Sequence, residues 1–185
     1  MHTIHSFHSS NSGSSFRVWL LDTLLNLDEV LDNLEADNKG ENIFYSLADV
    51  KDYKKAPYEG WMIRSENFES LSYLAFDLDK IDFDLSSPLD VVQLLEEFFK
   101  ESGKRWYIHS GNGIHVVFKI KRQDRISIFH RYNKNYHSLC ENLHVWLSSR
   151  GVVLKEVDSR IFEPSRILRL PGTLNVRFGK PTTEC

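Results

Sequence analysis

Leu71 to Asp79 reads LSYLAFDLD, and the fold turns on that stretch. Its residues alternate along most of its length, the pattern of a half-buried strand. Leu74, Phe76 and Leu78 then point to one side, and Asp77 and Asp79 to the other. Residues two apart on a strand lie roughly 6.5–7 Å apart. Two carboxylates at that spacing repel unless something positive lies between them, and a divalent cation meets that need. Taken alone, the D-x-D also fits a polar strand end whose acids face water.

Toward the C-terminus, the acidic loop Lys80–Ser87 leads into PLDVVQLLEEFFK, Pro88 to Lys100, which predicts a helix. Ser87 can cap it, Pro88 takes the first position and Gly103 follows the end. Val92, Leu95 and Phe99 are expected to face the core. Arg105–Ser110 and Ile114–Ile120 predict two strands joined by Gly111-Asn112-Gly113, a hairpin signal between apolar runs. In the second of these, Ile114, Val116, Phe118 and Ile120 share one face; His115, Val117 and Lys119 share the other. Arg122 to Arg150 predicts a long helix, broken early near Asn133 and ended by Gly151. His137, Cys140 and His144 share one of its faces. Without a C-x-x-C or a second ligand pair, no zinc site is expected there. Val152–Val157 predicts a strand that delivers Asp158 at its end. From Arg160 to Lys180 the chain carries five basic residues (Arg160, Arg166, Arg169, Arg177 and Lys180) against one acid, Glu163.

Toward the N-terminus, Trp61–Arg64 and Asn42–Leu47 predict short strands. Lys51, Lys54, Lys55 and Arg64 form a loose basic group, read as solvated surface. Val18, Leu20, Leu21, Leu24, Leu25, Leu27, Val30 and Leu31 suit one or two amphipathic helices within a segment spanning residues 16–41. Residues 1–15, rich in His, Ser, Asn and Gly, read as a mobile tail. Residues 42–185 form the remaining domain. Cys185 follows directly on PTTE, which suggests a piece of a longer protein.

With 185 residues, 41% hydrophobic and 26% charged, the chain has an ordinary globular composition and enough length for a sizeable core. Its net charge of −3 makes Arg160–Lys180 the one concentrated basic segment. Two distant cysteines suggest no disulfide framework and a reducing, cytoplasmic setting. No apolar run approaches a membrane span, so no membrane partner is expected.

Asp77 and Asp79 end one strand and Asp158 ends another, and SGNGIH, Ser110 to His115, lies between them in sequence. Its glycines let backbone approach a ligand closely, and a turn can aim amide N–H groups at an anion. Ser110 and His115 add hydroxyl and imidazole donors, and the basic segment adds guanidiniums for phosphate. Three carboxylates sharing cations with a triphosphate make the recurring two-metal arrangement for nucleotidyl transfer. Separately, each feature has a bland reading: a plain hairpin, a cap, a solvated surface.

The ordered set Asp77-x-Asp79, then Ser110-Gly-Asn-Gly-Ile-His115, then Asp158 followed by RILRLPGTLN (Arg166 to Asn175) resembles the catalytic core of the archaeo-eukaryotic primase superfamily. The likeness is to the primase-polymerases of plasmids, phages and mobile elements, and covers about Phe44 to Lys180. It implies an α+β fold, an RRM-like antiparallel sheet with packed helices, preceded by a smaller α/β module. It implies that Asp77, Asp79 and Asp158 bind two Mg²⁺ or Mn²⁺ ions. Ser110 and His115 would grip the nucleotide's phosphates, helped by the backbone at Asn112 and Gly113. Arg169 would add a further nucleotide contact, and Asn175 and Arg177 stand where relatives often have Asn-x-Lys. The activity implied is primer synthesis or extension on a single-stranded DNA template from nucleoside triphosphates, with a helicase or accessory domain as a further partner. The alternative is a non-catalytic RRM-like module that stacks single-stranded nucleic acid on its aromatics. A pure binder, however, has no use for three acids beside the phosphate path. Rolling-circle initiators want two His around one apolar residue and a nucleophilic Tyr, and His115 lacks that partner. Polymerase-beta-like enzymes want a Gly-Ser helix start before the D-x-D, and none is present.

Overall fold

The computed structural model describes residues 2–10, 13–21, 42–50, 68–124, 126–159, 167–171, 173–175, 180–181 and 183–184. Within them the chain runs β1 (His2–Ser10), β2 (Gly13–Leu21), β3 (Asn42–Ser46), β4 (Ala48–Val50) and β5 (Phe68–Asp79). Helix α1 (Pro88–Phe98), β6 (Arg105–His109), β7 (Ile114–Gln123) and helix α2 (Ile126–Ser148) follow. Short strands β8 (Glu156–Val157), β9 (Ile167–Arg169), β10 (Leu174–Asn175), β11 (Lys180–Pro181) and β12 (Thr183–Glu184) complete the order.

The main sheet is ordered β12-β6-β7-β5-β4, with β8 also paired to β5. A second sheet is ordered β2-β1-β3-β9, and every strand pairing in both is antiparallel. The chain crosses from one sheet to the other at Leu47, between β3 and β4, where the Ser46 hydroxyl donates to the Ala48 carbonyl at 3.0 Å. This is the expected α+β class, an antiparallel sheet with two helices; the second sheet joins β1, β2 and β3 to β9 from the C-terminal part of the chain.

Alternation in β5 sorts its side chains as expected. Leu74, Phe76 and Leu78 pair with Phe118, Val116 and Ile114 of β7 on one face; Ala75 and Asp77 pair with Val117 and His115 on the other. The first face carries the core. Phe76 is buried and stacks on Tyr136 of α2, with ring centroids 4.9 Å apart. It also meets Phe99 at 5.4 Å and Phe118 at 5.7 Å. Both helices therefore cover the apolar side of β5 and leave the carboxylate side to other partners.

Ser87 caps α1, its hydroxyl accepting from the Asp90 amide at 3.2 Å. Its buried residues are Val91 and Leu95, followed by Phe99, so Val91 rather than Val92 heads the inward stripe. Helix α2 runs 23 residues without the break expected near Asn133. It closes on Gly151, with Gly151 N–H bonding the Ser148 carbonyl and Val152 N–H the Leu147 carbonyl, a paired C-terminal cap. No described helix is long and apolar enough to cross a membrane.

The N-terminal expectation is corrected. Residues 1–15 were expected as a mobile tail and 16–41 as a helical segment, yet β1 and β2 form a hairpin whose first strand pairs with β3. Backbone pairing to a neighbouring strand outweighs the weak local pattern of a Ser- and His-rich segment. The remainder of the helical expectation, the Trp61–Arg64 strand and the Lys51–Arg64 basic group lie outside the described residues.

Candidate active site

Asp77 and Asp79 close the longest described strand, and β5 is bonded along both edges there. On the β7 side Asp77 stands opposite His115, and on the β8 side Leu78 stands opposite Val157 and Asp79 opposite Glu156. Continuing that register sets Asp158 opposite Asp77, and the Asp158 amide donates to the Asp77 carbonyl at 2.8 Å. Directly opposed residues of an antiparallel pair share a face. One face of three adjoining strands therefore carries Asp158, Asp77 and His115 in one row and Glu156 and Asp79 in the next. The three acids expected from distant parts of the chain meet on this face. Glu156 is a fourth, unforeseen one. Its signal was present in Glu156-Val157-Asp158, which alternates as Asp77-Leu78-Asp79 does.

The electrostatics follow from the crowding. Burial pushes the Asp77 carboxyl up to about 7; repulsion from Asp79, Asp158 and Glu156 adds to that, while Arg169 opposes it. His115 is buried yet faces the acids, with Nε2 3.5 Å from Asp77 Oδ1. Burial first, then Arg169, pushes its imidazole down to about 3, so the ring is neutral at physiological pH. A neutral ring has one N–H to give, to Asp77 or to a ligand oxygen but not to both. Its Nδ1 is buried without a hydrogen-bond partner among the described residues. Arg169 comes from the other sheet: β9 pairs with β3, setting Arg169 opposite Phe44, and its guanidinium lies 4.9 Å from the centre of that ring. Burial lowers its pKa and Asp77 acts against that.

The SGNGIH turn is a tight hairpin in which the Ser110 amide donates to the Gly113 carbonyl at 2.9 Å. Gly111, not Asn112, carries the positive φ, at 89°, as a type II′ loop asks of its first central residue. Asn112 reaches the site: its side-chain amide lies 3.5 Å from Asp79 Oδ1, and its carbonyl accepts from the Ile81 amide at 3.1 Å. A Cβ on Gly113 would come within 1.9 Å of the Leu78 carbonyl oxygen, so this glycine makes room for the D-x-D strand itself. Ser110 is buried at the base of the turn. Asn175 lies on β10, its backbone paired with Lys180. Arg177, like Arg160 and Arg166, lies outside the described residues.

Hard oxygen donors in this number suit Mg²⁺ or Mn²⁺ better than softer ions. The acids share a face, but no three His, Cys, Asp or Glu side chains among the described residues come close enough together to hold one ion. His137, Cys140 and His144 instead line a cleft of about 310 Å³ with Glu141, Glu156 and Ser159. Cys140 there is buried, its thiol pushed up to about 12 by burial.

Two β-sheets joined at Leu47, with opposed acidic strand ends between a hairpin and an arginine strand, define a fold with known counterparts. The chain has the archaeo-eukaryotic primase-type fold. It is similar to the AEP domain of the primase-polymerase of cyanophage S-2L, at 13% identity and a TM-score of 0.53 over 99% of this chain and 80% of that one. It is similar to the primase RepB′, at 12% identity and a TM-score of 0.53, covering all of this chain and 50% of that one. A third counterpart is the polymerase domain of Mycobacterium tuberculosis Ligase D, solved in complex with DNA. The likeness there is 14% identity and a TM-score of 0.55 over 96% of this chain and 62% of that one. The chain thus spans between half and four fifths of these structures. No family model and no curated protein matches the sequence.

Proposed function

We propose that this chain is a template-directed nucleotidyltransferase, making or extending primers on single-stranded DNA from nucleoside triphosphates. The observation that carries the reading is the shared face of Asp77, Asp79 and Asp158, with Asp77 raised to about 7 by burial and by its neighbours' charge. Such crowding costs stability unless cations relieve it. Bound Mg²⁺ or Mn²⁺ would lower the pKa of the primer's 3′-hydroxyl and neutralise the triphosphate. Asp77, Asp79 and Asp158 would hold those ions. Arg169, in electrostatic reach of Asp77 and His115, offers a fixed positive charge to phosphate oxygens. His115, neutral and 3.5 Å from Asp77 through Nε2, would have its single N–H to offer a phosphate oxygen. Ser110 and the backbone at Asn112 and Gly113 complete the phosphate contacts, with Asn175 and Arg177 beyond them. The 3′-hydroxyl gives its proton to water, its oxygen bonds to the α-phosphorus, and the bond from that phosphorus to the α,β-bridging oxygen breaks to release pyrophosphate.

The test is primer synthesis on a single-stranded template with Mn²⁺ or Mg²⁺. Asp77→Ala plus Asp79→Ala is expected to abolish product in a folded protein, and undiminished synthesis would rule the mechanism out. Metal-dependent triphosphate binding by the parent chain separates this reading from a purely strand-binding module.

A further inference from the structure

Four residues before Asp77 on the same face, about 13 Å away at a rise of about 3.3 Å per residue, the sheet changes character. Tyr73 of β5 stands opposite Lys119 of β7, and the Lys119 amide bonds the Lys104 carbonyl at 3.0 Å on the far side. Trp106 of β6 stands in the next row, opposite Val117. The Tyr73 and Trp106 rings arch over β7, with centroids 6.0 Å apart and planes 57° apart. Val117 is buried beneath them while both rings stay half-exposed. Lys104 Nζ lies 5.1 Å from the Trp106 ring centroid.

Lys104 and Lys119 are both exposed and lie directly across from one another, a placement that costs stability. Arg105, Arg122, Arg150 and Lys155 each pair with a carboxylate; among the described residues neither of these two lysines does. Two unneutralised cations beside two half-exposed rings complement a polyanion that carries flat bases.

We propose that this surface binds single-stranded nucleic acid, bases stacking on Trp106 and Tyr73 and phosphates pairing with Lys104 and Lys119. That the strand is the template rests on the polymerase reading; the contact itself does not. The surface lies on the carboxylate face, so a strand held there leads toward Asp77.

The test is fluorescence-anisotropy titration of labelled oligo(dT) with the full chain in EDTA, over a series of salt concentrations. Trp106→Leu is expected to weaken binding roughly 5- to 150-fold, the range for one stacked base. Lys104→Gln with Lys119→Gln is expected to flatten the slope of log affinity against log salt by about 1.4, or about 0.7 per cation. Both lysines are exposed, so that pair remains decisive should the Trp106 variant fail to fold. Unchanged affinity and slope in the lysine pair overturn the proposal. So does polyglutamate competing as well as oligo(dT), which would mark a surface for acidic peptide. If the parent makes no primers yet the variants lose oligo(dT), the surface stands and the polymerase reading falls. If the parent makes primers and the variants bind oligo(dT) as it does, the surface falls alone.

Discussion

Gly113 sits against the carbonyl of Leu78, the residue between the two acids. In the sequence this glycine reads as space for a ligand, and the fold uses the space for its own strand. Gly113→Ala is expected to cost about 1–3 kcal/mol, the range for overpacking, measured by urea unfolding. Gly103→Ala is the control: its Cβ would meet only the Lys119 carbonyl at 4.0 Å, and its effect should stay within about 0.5 kcal/mol. Equal losses in the two would separate the stability of the turn from its packing on Leu78. Residue types and their order made the acids, His115 and Arg169 legible. What a glycine touches was not, because a missing side chain carries no local signal of its neighbour.

At the scale of elements, β5 depends on what fills its second edge. Strand β4 pairs near Leu71 and β8 near Leu78, and the edge between them has no described strand. Carbonyls at every second residue face that way. Asp77 accepts from Asp158 N–H, Asp79 from Lys155 N–H, and Ala75 from the Tyr136 hydroxyl at 2.6 Å. Tyr136 thus bonds helix α2 to the strand that carries the acids. Tyr136→Phe keeps the stack on Phe76 but leaves a buried carbonyl unpaired, and is expected to cost about 1–3 kcal/mol by thermal or urea unfolding. A cost near zero would mean that water reaches Ala75. The strand, the hairpin and α1 were legible because each is a local period bounded by its own caps and turns. The β1–β2 hairpin was not, since Val18, Leu20 and the leucines after them fit a helical period as well as a strand. Pairing decides between the two: β2 bonds to β1, and β1 in turn to β3, more than thirty residues further along the chain.

Over the whole molecule, the site is assembled from two sheets, with Asp77 on one and Arg169 on the other. Their pairing was not legible, because contacts between distant segments leave no periodicity. The stability of the chain carries the trace of the assembly. Asp77 holds its proton more tightly folded than unfolded, its pKa rising from 3.8 to about 7. The penalty for ionising it is absent below 3.8, grows up to about pH 7 and is constant above. His115 has the opposite sign: depressed from 6.5 to about 3, it costs stability as pH falls through that window. Asp77→Asn isolates the first effect. In EDTA the variant is expected to melt above the parent at pH 8, with the gap closing toward pH 5 and narrowing at pH 8 when Mg²⁺ or Mn²⁺ is added. A gap independent of pH would show that the carboxyl is not raised.

The opposed faces of β5 impose a parity rule on any change in its length. One residue inserted between Tyr73 and Asp77 would swing both carboxylates into the aromatic cluster around Phe76 and turn a core side chain outward. Two residues would restore the facing and shift only the distance. Chains that vary this strand while keeping the acids usable must therefore do so in even steps, or absorb the odd residue in a bulge such as the irregularity already present between Leu71 and Tyr73.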